Sequence, residues 1–208
     1  MPEPIAALLL DLDGTLVDSE QYHREVFRSW FAGRGWPVSE ATLAGFTGRR
    51  ADDVFATEDG PWRGEDPAAM TAELLDHMVD LPSPPLAAGA VDLLGLTSVR
   101  LALVTSANTE WARTCLGDLL DRFEVIVTRD EVTRGKPDPE PYTLAASILG
   151  LPPERCLAVE DAPAGVASAV AAGVGVVIGI TSTFSADQLA GAHRVVPGLD
   201  AVLGLLDA

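Results

Sequence analysis

Two hydrophobic rhythms divide this chain. Residues 5–10 are uninterruptedly apolar, and short apolar runs return at 101–104, 125–127, 156–159 and 174–178. Runs of this length that stop at polar or turn residues predict strands buried on both faces. Helical spacing lies between them, near 89–96, from Thr109, after Pro139 and after Pro163. Strand alternating with helix predicts an α/β fold, a doubly wound parallel sheet (a Rossmann-like core) with right-handed crossovers and helices on both faces. Residues 17–86 follow the other rhythm. Segment 19–31 sets Tyr22, Val26 and Trp30 on one side at helical spacing, and helix-like pieces follow near 39–45, 50–57 and 66–79. The cluster Pro82-Ser83-Pro84-Pro85 then breaks the pattern, and nothing before it reads as a strand. The expected organisation is a core of residues 1–16 and 87–208, with 17–86 inserted as an all-helical cap over the strand ends.

Polar residues gather where the strands stop. Asp11-Leu12-Asp13-Gly14-Thr15 follows the first run, so two acids stand at a strand end and a glycine lets the chain turn away. Strand-end aspartates also serve turns and helix caps, so the pair alone leaves both readings open. The second strand ends at Thr105-Ser106, and the one at 156–159 ends at Glu160-Asp161. In an open parallel sheet, ligands bind beyond the carboxyl ends of the strands, where such residues can converge. The plain alternative for Thr105 or Ser106 is a helix cap, a task for which Asn108 is better placed. Asp161 could likewise cap the helix opened by Pro163.

Lys136, in Arg134-Gly135-Lys136-Pro137-Asp138-Pro139, is the sole lysine among 14 basic residues. A compact ammonium suits a narrow site that faces a carboxylate and an anion together, where the wide guanidinium fork does not fit. The alternative is one surviving surface lysine.

Composition narrows the partners. With 208 residues and 48% hydrophobic content the chain can bury a sizeable core. A formal net charge of −17 argues against nucleic acid or an anionic membrane as the main partner. Cys115 and Cys156 lack metal-type spacing and read as core thiols. Trp30 and Trp111 fall on apolar helix positions and read as core, whereas Trp62, within Gly60-Pro61-Trp62-Arg63-Gly64, reads as a loop-tip contact. The start, Met1-Pro2-Glu3-Pro4, has no basic region, and the apolar run ends too soon for a leader or span, so a cytoplasmic location is expected. A monomer or weak homodimer is the expected assembly.

Asp11-Leu12-Asp13-Gly14-Thr15, Thr105, Lys136 and Glu160-Asp161, in that order, resemble the four motifs of the haloacid dehalogenase superfamily. The stretches Asp18-Ser19-Glu20-Gln21-Tyr22-His23 and Val159-Glu160-Asp161-Ala162-Pro163-Ala164-Gly165 further resemble its branch of β-phosphoglucomutases and small sugar-phosphate phosphatases. The resemblance implies phosphoryl transfer from a small-molecule phosphate ester through an aspartyl phosphate. Asp11 is then the nucleophile and Asp13 the acid and base, a second carboxylate beside Asp11 raising one pKa of the pair. Anion would meet anion, at about 4 kcal/mol for unit charges ~4 Å apart with an effective dielectric near 20. The resemblance accordingly implies Mg2+, held by Asp11 and Asp161, with the Asp13 carbonyl as a third ligand and Glu160 acting directly or through water. Lys136 would supply a second positive charge, with Thr105, Ser106 and backbone N–H groups on the phosphoryl oxygens.

In the cap, His23 matches a histidine position near the leaving group in relatives, against the alternative of an exposed helix histidine. Arg49 or Arg50, after Gly48, could reach a substrate oxygen or simply begin a solvated helix. The favoured function is a Mg2+-dependent phosphatase for a sugar or polyol phosphate. A phosphosugar mutase is the alternative, weakened by a cap without lysine, and a non-catalytic phosphate-binding module is the reading from another class.

Overall fold

A computed structural model describes residues 4–78 and 83–206. Six parallel strands, β1 (Ala7–Leu10), β2 (Arg100–Val104), β3 (Val125–Val127), β4 (Cys156–Glu160), β5 (Val176–Ile180) and β6 (Arg194–Val196), form one sheet in the order β3-β2-β1-β4-β5-β6. β1 lies at its centre and is buried throughout, which accounts for its lack of alternation. β5 is displaced from the expected 174–178: Val174 packs under the sheet before the strand begins. β6 and the closing helix α9 (Leu199–Leu206) have no counterpart in the sequence reading. A three-residue edge strand offers too little pattern to be recognised.

Helices α5 (Ala90–Leu94), α6 (Thr109–Leu116), α7 (Glu140–Leu149) and α8 (Pro163–Ala171) cross between strands. Two apolar clusters pack the sheet, one on each side. Leu8, Leu10, Leu103 and Val159 belong to one, and Ala7, Leu9, Ala102, Val104 and Ala158 to the other, as the period-two geometry of a strand requires. Cys115 and Cys156 are free and buried in these clusters.

Helices α1 (Glu20–Gly33), α2 (Glu40–Ala44), α3 (Ala51–Thr57) and α4 (Pro67–Met78) are inserted after β1. Val79 and Pro82, expected at the end of this segment, and Met1 to Glu3 lie outside the described residues. The four helices enclose a third apolar cluster of their own, built on Trp30, Phe31, Phe46, Phe55 and Trp62. Trp62 is therefore no loop-tip contact. It is 2% exposed, its ring sits 5.6 Å from that of Phe31, and its Nε1 donates to the Glu58 carbonyl at 3.2 Å. A polar neighbourhood in sequence concealed a buried residue, because the turn around it folds back on the helices. Single bridges pair Asp13 with Val17 and Val17 with Leu86, so the chain leaves and re-enters the core side by side.

Among the described residues no helix is long and apolar enough to cross a membrane.

Candidate active site

Strand register assembles the site. Leu10 pairs with Leu103 on one side and Val159 on the other, so the next residues, Asp11, Val104 and Glu160, emerge level at the carboxyl edge of the sheet. The Asp11 backbone N–H still donates to the Val159 carbonyl at 3.2 Å, which fixes the direction of its side chain. Lys136 reaches this edge from the loop before α7. Its Nζ lies 2.6 Å from Asp11 Oδ1 and 2.6 Å from Glu160 Oε1, and donates to the Val104 carbonyl at 2.9 Å. The ammonium is 2% exposed, and three acceptors use its three protons. Tyr142, on α7, donates to the same Glu160 oxygen at 2.5 Å. Nothing in its sequence context separated it from an ordinary core tyrosine.

Electrostatics at this cluster are governed by burial. Loss of hydration, with the Glu160 charge adding to it, raises Asp11 to about 7 despite the opposing pull of Lys136. Burial, then the charges of Asp11 and Glu160, also raises Asp161 well above the usual carboxylate range. The two carboxylates hold Lys136 above its ordinary value although burial alone would lower it.

Asp161 does not cap α8. That helix begins from Ala162 without a side-chain cap, and both carboxylate oxygens of the 1%-exposed Asp161 lack a hydrogen-bond partner. Glu160 Oε2 is also without a partner. One oxygen from each of Asp11, Glu160 and Asp161 lies within 4.8 Å of the others. Buried acids that repel one another and keep three oxygens, Glu160 Oε2 and both of Asp161, without a donor have the character of a hard-cation site, and a divalent ion bound by oxygen ligands fits this set. Gly14 makes the space: with φ +78°, it would drive a Cβ to 2.0 Å from Asp161 Oδ2.

Asp13 lies at the start of the turn and faces the cavity above. Its Oδ1 accepts from Ser19 Oγ at 2.8 Å and from Trp111 Nε1 at 2.9 Å, with His23 Nε2 at 3.7 Å. Ser19 stands at the start of α1 but gives its hydroxyl to Asp13 instead of the helix. Trp111 packs against the core, as the sequence reading has it, and does more. It is half-buried, lines the cavity and stacks on Tyr22 at 5.2 Å between ring centres. Helical periodicity places a residue on the inward side of α6 without showing that this side ends at an open cavity.

Thr105 also lines the cavity, with its Oγ1 accepting from the Ala107 N–H at 3.0 Å. Ser106 donates to the Gly48 carbonyl at 3.2 Å, and so ties the core to the inserted helices. As expected, Asn108 caps α6, accepting from the Trp111 N–H at 2.8 Å. Arg49 lines the cavity but pairs with Glu58 at 2.9 Å. Arg50 lies on the seam, donating to the carbonyls of Val132 and Thr133 at 3.3 and 3.2 Å. Asp11, Asp13, Thr105, His23 and Arg49 therefore border one cavity, while Lys136, Glu160 and Asp161 support its floor.

The model of the haloacid dehalogenase-like hydrolase family matches residues 5–173. The validoxylamine A 7'-phosphate phosphatase of Streptomyces hygroscopicus subsp. limoneus is 36% identical over 201 residues, covering 93% of this chain and 94% of that protein. Hexitol phosphatase A of Escherichia coli is 38% identical over 179 residues, or 81% and 80% of the two chains. Among solved structures, CbbY from Rhodobacter sphaeroides in complex with phosphate superposes with a TM-score of 0.79 at 28% identity, covering 98% of this chain and all of the other.

Proposed function

Because this chain belongs to the haloacid dehalogenase-like hydrolase family, we propose that it is a Mg2+-dependent phosphatase that cleaves a sugar or polyol phosphate through an aspartyl phosphate at Asp11. The observation that carries the proposal is the floor of the cavity, where Lys136 bridges Asp11 and Glu160 beside an Asp161 whose oxygens have no other partner. The names of two similar proteins, validoxylamine A 7'-phosphate phosphatase and hexitol phosphatase A, support the substrate class.

Asp11 attacks phosphorus and the bond to the ester oxygen breaks, while Asp13 gives that oxygen a proton. Asp13, now a carboxylate, takes a proton from water as the water oxygen attacks phosphorus. The bond to Asp11 then breaks, and phosphate and free enzyme are restored. Ser19 and Trp111 fix one Asp13 oxygen and leave the other for the proton. Lys136 orients Asp11 and opposes the charge building on the phosphoryl group, and the Thr105 hydroxyl and adjacent N–H groups receive its oxygens. Asp11 and Asp161 would hold Mg2+, with the Asp13 carbonyl and Glu160 beside it. The ion would supply charge neutralisation for the approach of two anions. Helices α1–α4 act as the cap, which excludes water and selects the leaving group.

Phosphate release from a generic aryl phosphate, measured with Mg2+ and with excess chelator, tests the reading. We expect turnover with the metal only, and a loss of at least about 1000-fold in Asp11→Asn with its circular dichroism intact. Metal-independent turnover would overturn the Mg2+ requirement, and a tenth of the activity in Asp11→Asn would remove Asp11 from the nucleophile's role.

A further inference from the structure

We infer that the cavity takes a monophosphate whose leaving group is uncharged, has an apolar face and carries a distal hydroxyl, and that Thr71 reads this hydroxyl. The inference rests on the phosphatase reading and adds to it the recognition of the leaving group. The cavity runs from Asp11 and Asp13 up between the inserted helices. Its upper wall is hydrocarbon: Phe27 from α1, Leu43 and Phe46 from α2 and the turn after it, and Leu74 and Leu75 from α4. Two threonines, Thr47 and Thr71, stand among these residues.

Thr71, on α4, is 3% exposed and borders the cavity, yet its Oγ1 has no hydrogen-bond partner. A threonine inside a helix ordinarily satisfies its hydroxyl on the carbonyl a turn earlier, as Thr57 does with Asp53 and Thr114 with Glu110. Thr71 does not. A buried hydroxyl without a partner is destabilising, and valine would fill the same shape without that cost. A ligand hydroxyl in the chamber would complete it, while the surrounding phenylalanine and leucine side chains cover the carbon-bound hydrogens of a polyol or a saturated ring.

Charge limits the leaving group further. Three guanidinium groups line the cavity, and each already faces a carboxylate: Arg24 with Glu20 at 2.5 Å, Arg49 with Glu58 at 2.9 Å and Arg129 with Asp52 at 3.1 Å. A second phosphate would have to share one of these guanidinium groups with its carboxylate, and the hydrocarbon and threonine hydroxyls beside them offer it no further charge. A bisphosphate is therefore disfavoured, and with it a mutase cycle primed by one.

Steady-state kinetics with Mg2+ on glycerol 1-phosphate, sorbitol 6-phosphate, fructose 1-phosphate and fructose 1,6-bisphosphate test the inference. The wild type should prefer sorbitol 6-phosphate over glycerol 1-phosphate, and fructose 1-phosphate over the bisphosphate, each by at least about tenfold in kcat/KM. In Thr71→Val the sorbitol-to-glycerol ratio should fall about tenfold, mainly through KM, and Thr71→Ser should restore most of it. An unchanged ratio in Thr71→Val, or a wild type that favours the bisphosphate or the shorter ester, overturns the inference while leaving the phosphatase reading in place. Failure to hydrolyse any of the four, or the aryl phosphate, overturns both.

Discussion

Asp11 carries a charge where charge is costly, and this sets a testable pH dependence. Its carboxyl lies at about 7 in the metal-free protein, against 3.8 for an exposed aspartate. The unfolded chain therefore ionises Asp11 first, and stability falls as pH rises from about 4 through 7, with the full penalty present above 7. Asp161 is shifted in the same direction. Mg2+ would favour the ionised forms and release protons on binding. The rise in Tm on adding Mg2+ should accordingly be larger at pH 8 than at pH 5.5, and a response of equal size at both would argue against these acids as ligands. Without metal at pH 8, Asp11→Asn should melt no lower than the wild type. Lys136 was legible beforehand because the chain uses arginine everywhere else. Trp111 and Tyr142 were not, since their side-chain partners, Asp13 and Glu160, lie 98 and 18 residues away in sequence.

At the scale of the element, the turn after β1 shows how a strand end becomes a site. Gly14 adopts a left-handed conformation and its N–H donates to the Val17 carbonyl at 2.8 Å, which turns the chain tightly under Asp161. Alanine there would incur a conformational cost of about 1–2 kcal/mol and would also collide with the Asp161 carboxylate. Gly14→Ala should therefore lose most of the Mg2+-induced rise in Tm and at least about 100-fold in kcat/KM. A normal metal response, followed by thermal melting, would mean that the turn does not shape the metal site. The helices other than α9 were read to within a few residues because several of their ends carry chemical signals, such as Ser39 and Asn108, whose side chains accept from backbone N–H groups at 3.1 and 2.8 Å. Trp62 was misread for a reason of the same scale. A Gly-Pro-Trp-Arg-Gly stretch has no period, and a side chain outside a regular element announces its burial only through the residues folded against it.

Over the whole molecule, the inserted helices meet the core along a polar seam. Arg50 holds the Val132 and Thr133 carbonyls, Arg129 reaches back to Asp52, and Ser106 binds the Gly48 carbonyl. Gly48, with φ +72°, approaches Ala162 so closely that a Cβ would lie 2.5 Å from the Ala162 Cβ. Such a seam is largely of hydrogen bonds, and replacing one side chain should disturb closure more than folding. Arg50→Met should cost about 1–2 kcal/mol of stability, a few degrees in Tm for a chain of this size. It should raise KM and lower kcat together, as expected when closure completes the site. Unchanged kinetics with a lowered Tm would assign Arg50 to stability alone. The net charge of −17 belongs to this scale too, since the cavity counters it with a single buried lysine and guanidinium groups that are already paired.

The alternation of strands and helices as far as β5, the helical insert, the acids and hydroxyls at the strand ends and the sole lysine were legible in the sequence alone, because hydrophobic period and chain termination are local properties. Tertiary structure decided what depends on chain crossings. It set Asp11 level with Glu160 through the register of β1 and β4, and buried Asp161 with no neighbour but the Thr183 hydroxyl placed to donate to it. It turned Trp111 towards Asp13 and left the buried Thr71 hydroxyl without a partner beside the cavity. A side chain's role follows from its neighbours in space, and these were brought together only when the sheet closed and the helices settled over its edge.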